Sequence, residues 1–269
     1  MSGFLERILE TKREEVRRLR PRAAELRERA QAMPPCRGFA RAIAEAPGLA
    51  VIAEVKRASP SKGLIAPVFH PAATAAVYER AGAAAISVLT DEVYFQGSIA
   101  DLMAVRDRVR LPVLRKDFIL DEVQVDEARA AGADAILLIC AALSKERLRE
   151  LAAYGRSLGL DTLIEVHDVH ELDAALAAEP SVLGVNNRDL RTFEVSLETT
   201  RIVLSQVPAG TLVIGESGVH TAEDAARMAA YGARGILVGE SLMRAGGEDE
   251  VAERLTSFRV PLPSGAGAP

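Results

Sequence analysis

The sequence predicts an α/β fold, a (β/α)8 TIM barrel with an N-terminal helical extension. Eight short apolar runs recur along the chain, each too short for a typical helix. Several are near-continuous in Val, Ile, Leu and Ala, as expected of parallel strands that are covered on both faces. Between consecutive runs lies enough chain for one helix, and eight such units in roughly 210 residues are typical of a barrel. The alternative, an open doubly wound sheet, usually has fewer strands.

The eight runs give the predicted strands in chain order. They are residues 49–53, 84–89, 112–114, 134–139, 162–166, 182–185, 212–214 and 235–238. Because barrels commonly reach about 250 residues, we expect one domain to span residues 1–269.

Helix signals lie in the gaps between these runs. Proline suits a first helical turn, acids suit the positive end of the helix dipole, and Ser or Thr makes a good N-cap. Residues of these kinds at predicted helix starts are Pro71, Asp121, Ser144 and Thr221. Glycine is a common helix stop, and Gly82, Gly132 and Gly232 precede predicted strands.

Both ends of the chain lie outside the predicted barrel. Apolar residues recur at helical spacing from Phe4 to Leu19, so we expect residues 1–48 to form a helical extension packed on the barrel. Lys12 falls among these apolar positions, and Arg and Glu fill the other face. Residues 259–269 have little to bury and are predicted to form a flexible tail.

Composition disfavours several classes of protein. The net charge of −5 argues against a general nucleic-acid binder. Cys36 and Cys140 make neither a disulfide scaffold nor a metal site, and they fit a reducing cytoplasm. The four histidines have no metal-ligand spacing, and no stretch resembles a signal peptide or a membrane span. We therefore expect a cytoplasmic protein with neither a membrane nor a nucleic-acid partner.

Charged residues follow several predicted strands, at the end of the barrel that carries function. Glu54 and Lys56 are two residues apart, so they project to the same side of the chain. Lys116 follows the third run, Glu165 lies at the end of the fifth, and the two would point into the same space. Two acids and two lysines in one confined site neutralise one another and shift pKa values toward those of acid–base catalysis. Ordinary ion pairs lining the barrel mouth are the alternative.

The last two strand ends predict a phosphate site. Ser217-Gly218 and Gly239-Glu240 follow the seventh and eighth runs, where barrels recurrently bind phosphate. Alone these dipeptides are weak signals, because glycine is common at such turns for steric reasons. Ser59 lies in the loop after the first run and would add a hydroxyl to the same anion.

Further residues near strand ends complete the candidate binding set. Phe118 follows a polar strand end and suits contact with a flat substrate. Core packing is the alternative for the leucines near strand ends. The remaining candidates are Leu137, Asn186, Arg188, Glu216 and Leu237.

Seven segments of the chain resemble the indole-3-glycerol-phosphate synthase family of tryptophan-pathway barrels. They are residues 52–63, 87–92, 94–98, 114–118, 186–190, 216–218 and 237–243. The first is long and highly specific, and the resemblance covers nearly the whole chain. Two positions differ from common family patterns: Glu240 stands where some members carry Ser, and His70 where an acid is common.

The resemblance implies a reaction and roles in it. The family cyclises 1-(2-carboxyphenylamino)-1-deoxyribulose 5-phosphate to indole-3-glycerol phosphate, releasing carbon dioxide and water, without cofactor or metal. Lys116 would be the general acid, and Glu54 would hold and polarise that lysine. Either Glu165 or Lys56 would serve the loss of the hydroxyl, a choice the sequence leaves open. Asn186 would orient the hydroxyl chemistry.

The same resemblance implies how the substrate is held. Arg188 would lie at the aryl carboxylate or have a supporting role, while Phe118 and Leu137 would flank the aromatic ring. Main-chain N–H groups would hold the phosphate at Ser217, Gly218, Gly239 and Glu240. Two other functions stay open as alternatives: a phosphoribosylanthranilate isomerase-like barrel, and a non-catalytic phosphate-binding barrel. The amphipathic extension fits a monomer or a homodimer equally well.

Overall fold

A closed barrel of eight parallel strands forms the centre of the computed structural model, which describes residues 3–190 and 192–263. The strands are β1 (Ala50–Val55), β2 (Ala85–Leu89), β3 (Val113–Lys116), β4 (Ala135–Ile139), β5 (Asp161–Val166), β6 (Val182–Asn186), β7 (Val213–Glu216) and β8 (Gly235–Val238). Each strand pairs with its neighbour in the chain, and β1 also pairs with β8, which closes the sheet. The predicted fold class is confirmed.

Helices precede, cover and follow the barrel. The extension holds α1 (Phe4–Leu19), α2 (Ala23–Ala32) and α3 (Phe39–Ala44). The others are α4 (Pro71–Arg80), α5 (Ile99–Arg108), α6 (Glu122–Ala130), α7 (Lys145–Ser157), α8 (Leu172–Ala177), α9 (Glu198–Leu204), α10 (Ala222–Tyr231), α11 (Glu240–Met243) and α12 (Glu248–Phe258). None of the described helices is both long and apolar enough to cross a membrane.

The predicted helix starts are confirmed by their hydrogen bonds. The side chains of Asp121, Ser144 and Thr221 each accept a bond from a main-chain N–H in the first turn of the helix that follows. Pro71 is the first residue of α4, and Gly232 ends α10 with φ 101°. These caps satisfy main-chain groups that the helix itself leaves unpaired.

Three predicted strand ends were wrong by two residues. The apolar runs stop at Ala53, Leu114 and Ile214, but the strands continue to Val55, Lys116 and Glu216. An apolar run ends at the first charged residue, whereas main-chain pairing continues because the barrel mouth accepts charged side chains. The strands themselves therefore hold Glu54, Lys116 and Glu216, and Lys56 directly follows β1.

Two apolar layers hold the barrel together. The outer layer lies between strands and helices, and the inner layer fills the barrel. Phe39 and Ile43 of α3 are fully buried and pack into the inner layer. Because α3 precedes β1 directly, these side chains pack at the end of the barrel where β1 begins.

The extension contains three helices, where the sequence predicted one over residues 4–19. Its buried side chains on α1 are Ile8, Leu9, Lys12 and Val16. Of the predicted tail, residues 264–269 lie outside the described part of the chain. At its start, the carbonyl of Val260 accepts a hydrogen bond from the N–H of Leu49 at 2.9 Å, so the first residues lie against the barrel.

Candidate active site

Alternation along the strands brings four charged side chains together at the mouth of the barrel. The inner layer contains Ile52, Leu114, Leu163 and Ile214. Two residues later on the same strands stand Glu54, Lys116, Glu165 and Glu216. Side chains two apart on a strand face the same side, so all four point inward at the carboxyl ends of the strands.

Lys116 lies at the centre of this charged group. Its Nζ donates to Oε2 of Glu165 at 2.8 Å and to Oε2 of Glu216 at 2.5 Å. Burial disfavours the ammonium, but the two carboxylates raise the pKa of Lys116 above its usual range. Lys116 therefore carries a proton at neutral pH and can donate it.

The two carboxylates beside Lys116 have pKa values shifted in opposite directions. Burial opposes ionisation of Glu165, but Lys116 and His167 overcome it and hold its pKa below the usual range. Burial and the negative charge of Glu165 raise the pKa of Glu216. Glu165 is therefore the ionised member of the pair, and Glu216 is the one that more readily holds a proton.

Gly184 on β6 leaves the space that Glu216 occupies. A Cβ atom at this position would lie 2.2 Å from Oε1 of Glu216, well inside van der Waals contact. Oε1 is buried without a hydrogen-bond partner among the described residues, so it has no bond that directs it elsewhere. Gly184 was not among the residues predicted from the sequence, because it lies within an apolar run.

We expect Gly184→Ala to lower kcat by about tenfold or more, because the new methyl group forces Glu216 away from Lys116. Overpacking should also lower the free energy of unfolding by about 1–3 kcal/mol. Steady-state kinetics and thermal unfolding measure the two effects. Gly247→Ala is the control, since a Cβ there meets nothing within 4 Å. Wild-type kinetics in Gly184→Ala would show that the position of Glu216 is unimportant.

Glu54 pairs with Lys56, not with Lys116. The Lys56 Nζ donates to Oε1 of Glu54 at 2.6 Å, which confirms that the two side chains share one side of the chain. Lys116 donates its hydrogen bonds to Glu165 and Glu216, while Glu54 acts on it through its negative charge, which helps to raise the pKa of Lys116. A Cβ at Gly239 would lie 2.5 Å from Oε1 of Glu54 and 3.1 Å from the Lys56 Nζ, so glycine leaves room for this pair.

The ends of β7 and β8 lie beside the Glu54–Lys56 pair. Ser217 and Gly218 both have left-handed backbones, with φ 63° and 82°, and turn the chain sharply after β7. After β8, Gly239 caps α11, whose first residue is Glu240. N–H groups at the start of a helix lack acceptors within it, so this turn suits an anion.

Apolar side chains also line the pocket. Phe118 lies 6.4 Å from Phe95 between ring centres, at a tilt of 39°. Leu137 and Leu237 belong to the inner layer and also line the pocket, so they serve both core and site. The α1 residues that line it are Phe4, Leu5 and Ile8.

Asn186 and Arg188 follow each other at the end of β6. Oδ1 of Asn186 accepts a bond from the main-chain N–H of Arg188 at 3.1 Å, and the guanidinium of Arg188 donates to the carbonyl of Phe193 at 3.3 Å. Ser59 lies in a short hairpin, Ala58–Ser59 with Gly63–Leu64, that the sequence did not predict.

All fifteen candidate residues from the sequence line this one pocket. They are Glu54, Lys56, Ser59, Lys116, Phe118, Leu137, Glu165, Asn186, Arg188, Glu216, Ser217, Gly218, Leu237, Gly239 and Glu240. The α1 residues and His167 were not among the residues predicted from the sequence. Their signals were present: an apolar face with one lysine in it, and a histidine two residues beyond Glu165.

Comparison with known proteins identifies the family. A family model described as indole-3-glycerol phosphate synthase matches residues 5–255. The chain belongs to this family. The indole-3-glycerol phosphate synthase of Desulfotalea psychrophila is 49% identical over 95% of this chain and 99% of that protein. The synthase of Laribacter hongkongensis is 53% identical over 91% of this chain and 95% of that protein. Membership places the chain among the carboxy-lyases of tryptophan biosynthesis.

More distant structures share the fold. N-acetylmannosamine-6-phosphate 2-epimerase from Clostridium perfringens superposes with a TM-score of 0.61 at 15% identity, over 80% of this chain and 96% of that one. Thiamine phosphate pyrophosphorylase from Pyrococcus furiosus gives 0.59 at 19% identity, over 78% and 94%. At this identity the likeness concerns the barrel alone, while the synthase relatives carry the functional assignment.

Proposed function

We propose that this member of the indole-3-glycerol phosphate synthase family cyclises 1-(2-carboxyphenylamino)-1-deoxyribulose 5-phosphate, and that Lys116 and Glu165 are its central acid and base. The observation that carries the assignment is Lys116, only 13% exposed and held between Glu165 and Glu216. The same pocket is lined by the turn that suits an anion and by apolar side chains. A phosphorylated, aromatic substrate fits that division.

Ring closure requires a proton donor at the substrate ketone. As the aromatic carbon attacks the ketone carbon, the carbonyl electron pair moves to oxygen, which takes a proton from the Lys116 ammonium. The bond to the carboxylate then breaks, carbon dioxide leaves, and the electron pair returns to the ring system. The raised pKa of Lys116 keeps the ammonium charged until this step.

Loss of the new hydroxyl requires a base and a second acid. Glu165 has a lowered pKa and is ionised, so it takes the proton from the carbon beside nitrogen. Those electrons form the indole double bond while the hydroxyl leaves as water with a proton from Lys56. Glu54 holds Lys56 in place for this step. In this proposal both residues between which the sequence left the choice open take part, Glu165 as the base and Lys56 as the acid.

The remaining candidates would bind the substrate. Main-chain groups at residues 217–218 and 239–240 would hold the phosphate, with the Lys56 ammonium beside Gly239 adding charge. Ser59 would add a hydroxyl from its hairpin. Arg188, ordered by Asn186, would meet the aryl carboxylate, and Phe118 with Leu137 would flank the ring.

We place the protein in the cytoplasm, with a small phosphorylated molecule as its partner. Cys36 and Cys140 are free thiols, as a reducing compartment allows. The surface of α1 suits either a monomer or a homodimer, and sedimentation or light scattering distinguishes them.

The assignment is tested by mixing the purified protein with 1-(2-carboxyphenylamino)-1-deoxyribulose 5-phosphate, without added metal, and following indole fluorescence. We expect fluorescence to rise with enzyme concentration. Binding without a rise would favour a non-catalytic phosphate-binding barrel. Turnover of phosphoribosylanthranilate instead would favour the isomerase.

A further inference from the structure

His167 lies between Glu165 and a second carboxylate. Its Nε2 is 3.3 Å from Oε1 of Glu165, and its Nδ1 is 3.4 Å from Oε2 of Glu171. The main-chain N–H of His167 also donates to Oε2 of Glu171 at 2.7 Å, which fixes that carboxylate against the ring. The side chain is only 10% exposed.

A side-chain nitrogen therefore lies beside each oxygen of the Glu165 carboxylate. Lys116 bonds Oε2 at 2.8 Å, and His167 stands beside Oε1. The His167 Nε2 makes no aligned hydrogen bond among the described residues, so its effect on Oε1 is mainly that of charge. Held from both sides, the Glu165 carboxylate has one orientation toward the pocket.

The other titratable group at this place is Cys140, in the turn after β4. Burial, together with the charges of Glu171 and Glu165, raises the pKa of this thiol, so it stays neutral. His167 is therefore the one group facing these carboxylates from this side, among the described residues, that can carry a positive charge.

We propose that His167 is a positioning residue for the reaction, an imidazolium that keeps Glu165 ionised and oriented as the base. The inference rests on the proposed function of Glu165. Glu171 holds the second nitrogen of the His167 ring. Three residues in the order Glu165, His167 and Glu171 thus run from the pocket to a partly exposed carboxylate.

The charge on His167 follows from its surroundings. Burial disfavours the imidazolium, but Glu165 and Glu171 raise the pKa of His167 to about 10. At neutral pH the ring is therefore charged. Removing that charge takes away one of the two cations that lower the pKa of Glu165, so its pKa must rise.

The test is the pH dependence of His167→Gln compared with the wild type. We expect the acidic limb of the kcat/KM profile to move up by about one pH unit and kcat to fall about tenfold. The KM should stay within about twofold, because His167 does not line the pocket. His170→Gln is the control: it is exposed on the 3-10 turn Val169–Glu171, which directly follows this segment, and should leave the profile unchanged.

Different outcomes separate the possible failures. A lower kcat with an unmoved acidic limb would overturn the proposal and leave His167 a packing role. An inactive wild type would instead remove the proposed function. If His167→Gln does not fold, Glu171→Gln tests the orienting role: the pKa of His167 falls, so the ring loses the charge that orients Glu165 at a lower pH, and the basic limb should move to lower pH. An unmoved basic limb there would also overturn the proposal.

Discussion

Lys116→Ala is expected to lower kcat by about 10²- to 10⁴-fold while the barrel still folds. Under the proposed mechanism the substitution removes the proton donor to the ketone, and it also removes one of the two cations that lower the pKa of Glu165. Because the proposal assigns the substrate's phosphate and aryl ring to other residues, the KM should change by less than about tenfold. Steady-state fluorescence kinetics give both constants, and circular dichroism shows whether the fold is retained.

The matched control for this substitution is Lys145→Ala. Lys145 is exposed at the first residue of α7 and lies outside the pocket, so its loss should leave kcat unchanged. A Lys116→Ala rate within a few-fold of the wild type would remove Lys116 from the general-acid role. In that case Lys56 would be the next donor to test.

The spacing of apolar runs and helix caps along the sequence was enough to predict the barrel and the position of its site. Strands buried on both faces leave continuous apolar runs, and helix caps require particular residue types, so both are visible without coordinates. The mouth of the barrel then follows from the fold, since strand-end residues converge there. Glu54 and Lys56 were paired correctly because a separation of two decides which side of the chain they face.

Contacts between distant segments could not be predicted in the same way. Whether Lys116 bonds Glu54 or Glu216 depends on strand register and side-chain reach, which spacing along the chain does not determine. The contribution of α1 to the pocket depends on how the extension docks, and an amphipathic face does not specify its partner. Lys12, a charge on an apolar face, was nevertheless a signal that this face meets buried acids.

The contacts of Lys12 explain its place on this face. Its side chain is fully buried, and Nζ lies 2.7 Å from Asp91 Oδ2, 2.8 Å from Asp117 Oδ1 and 2.8 Å from Glu15 Oε2. Asp91 and Asp117 are also buried, and Asp117 directly follows Lys116. One ammonium therefore joins α1 to the two loops that border the apolar side of the site.

Lys12→Met is expected to destabilise the protein by about 3–5 kcal/mol, because two buried aspartates lose the cation between them. For a chain of this size the melting temperature should fall by roughly 6–20 °C. Since α1 also lines the pocket, the KM should rise more than kcat falls. Thermal unfolding and steady-state kinetics measure these effects. Arg13→Met is the control, an exposed cation on the same helix, with a change of about 0.5 kcal/mol or less.

The pH dependence of the stability lost in Lys12→Met tests whether that loss is electrostatic. Burial opposes the charge on Asp117, but Arg115 and Lys12 lower its pKa to about 2, from 3.8. A lowered pKa gives stability that is present above about pH 4 and lost as the pH falls toward 2. Without Lys12 the pKa of Asp117 rises toward its ordinary value. The ionised carboxylate then stabilises the fold less, and acid removes less stability from the variant than from the wild type. The gap in stability between Lys12→Met and wild type should therefore be widest near neutral pH and narrow below pH 4. A gap that stays constant down to pH 3 would mean that Lys12 holds α1 by packing alone.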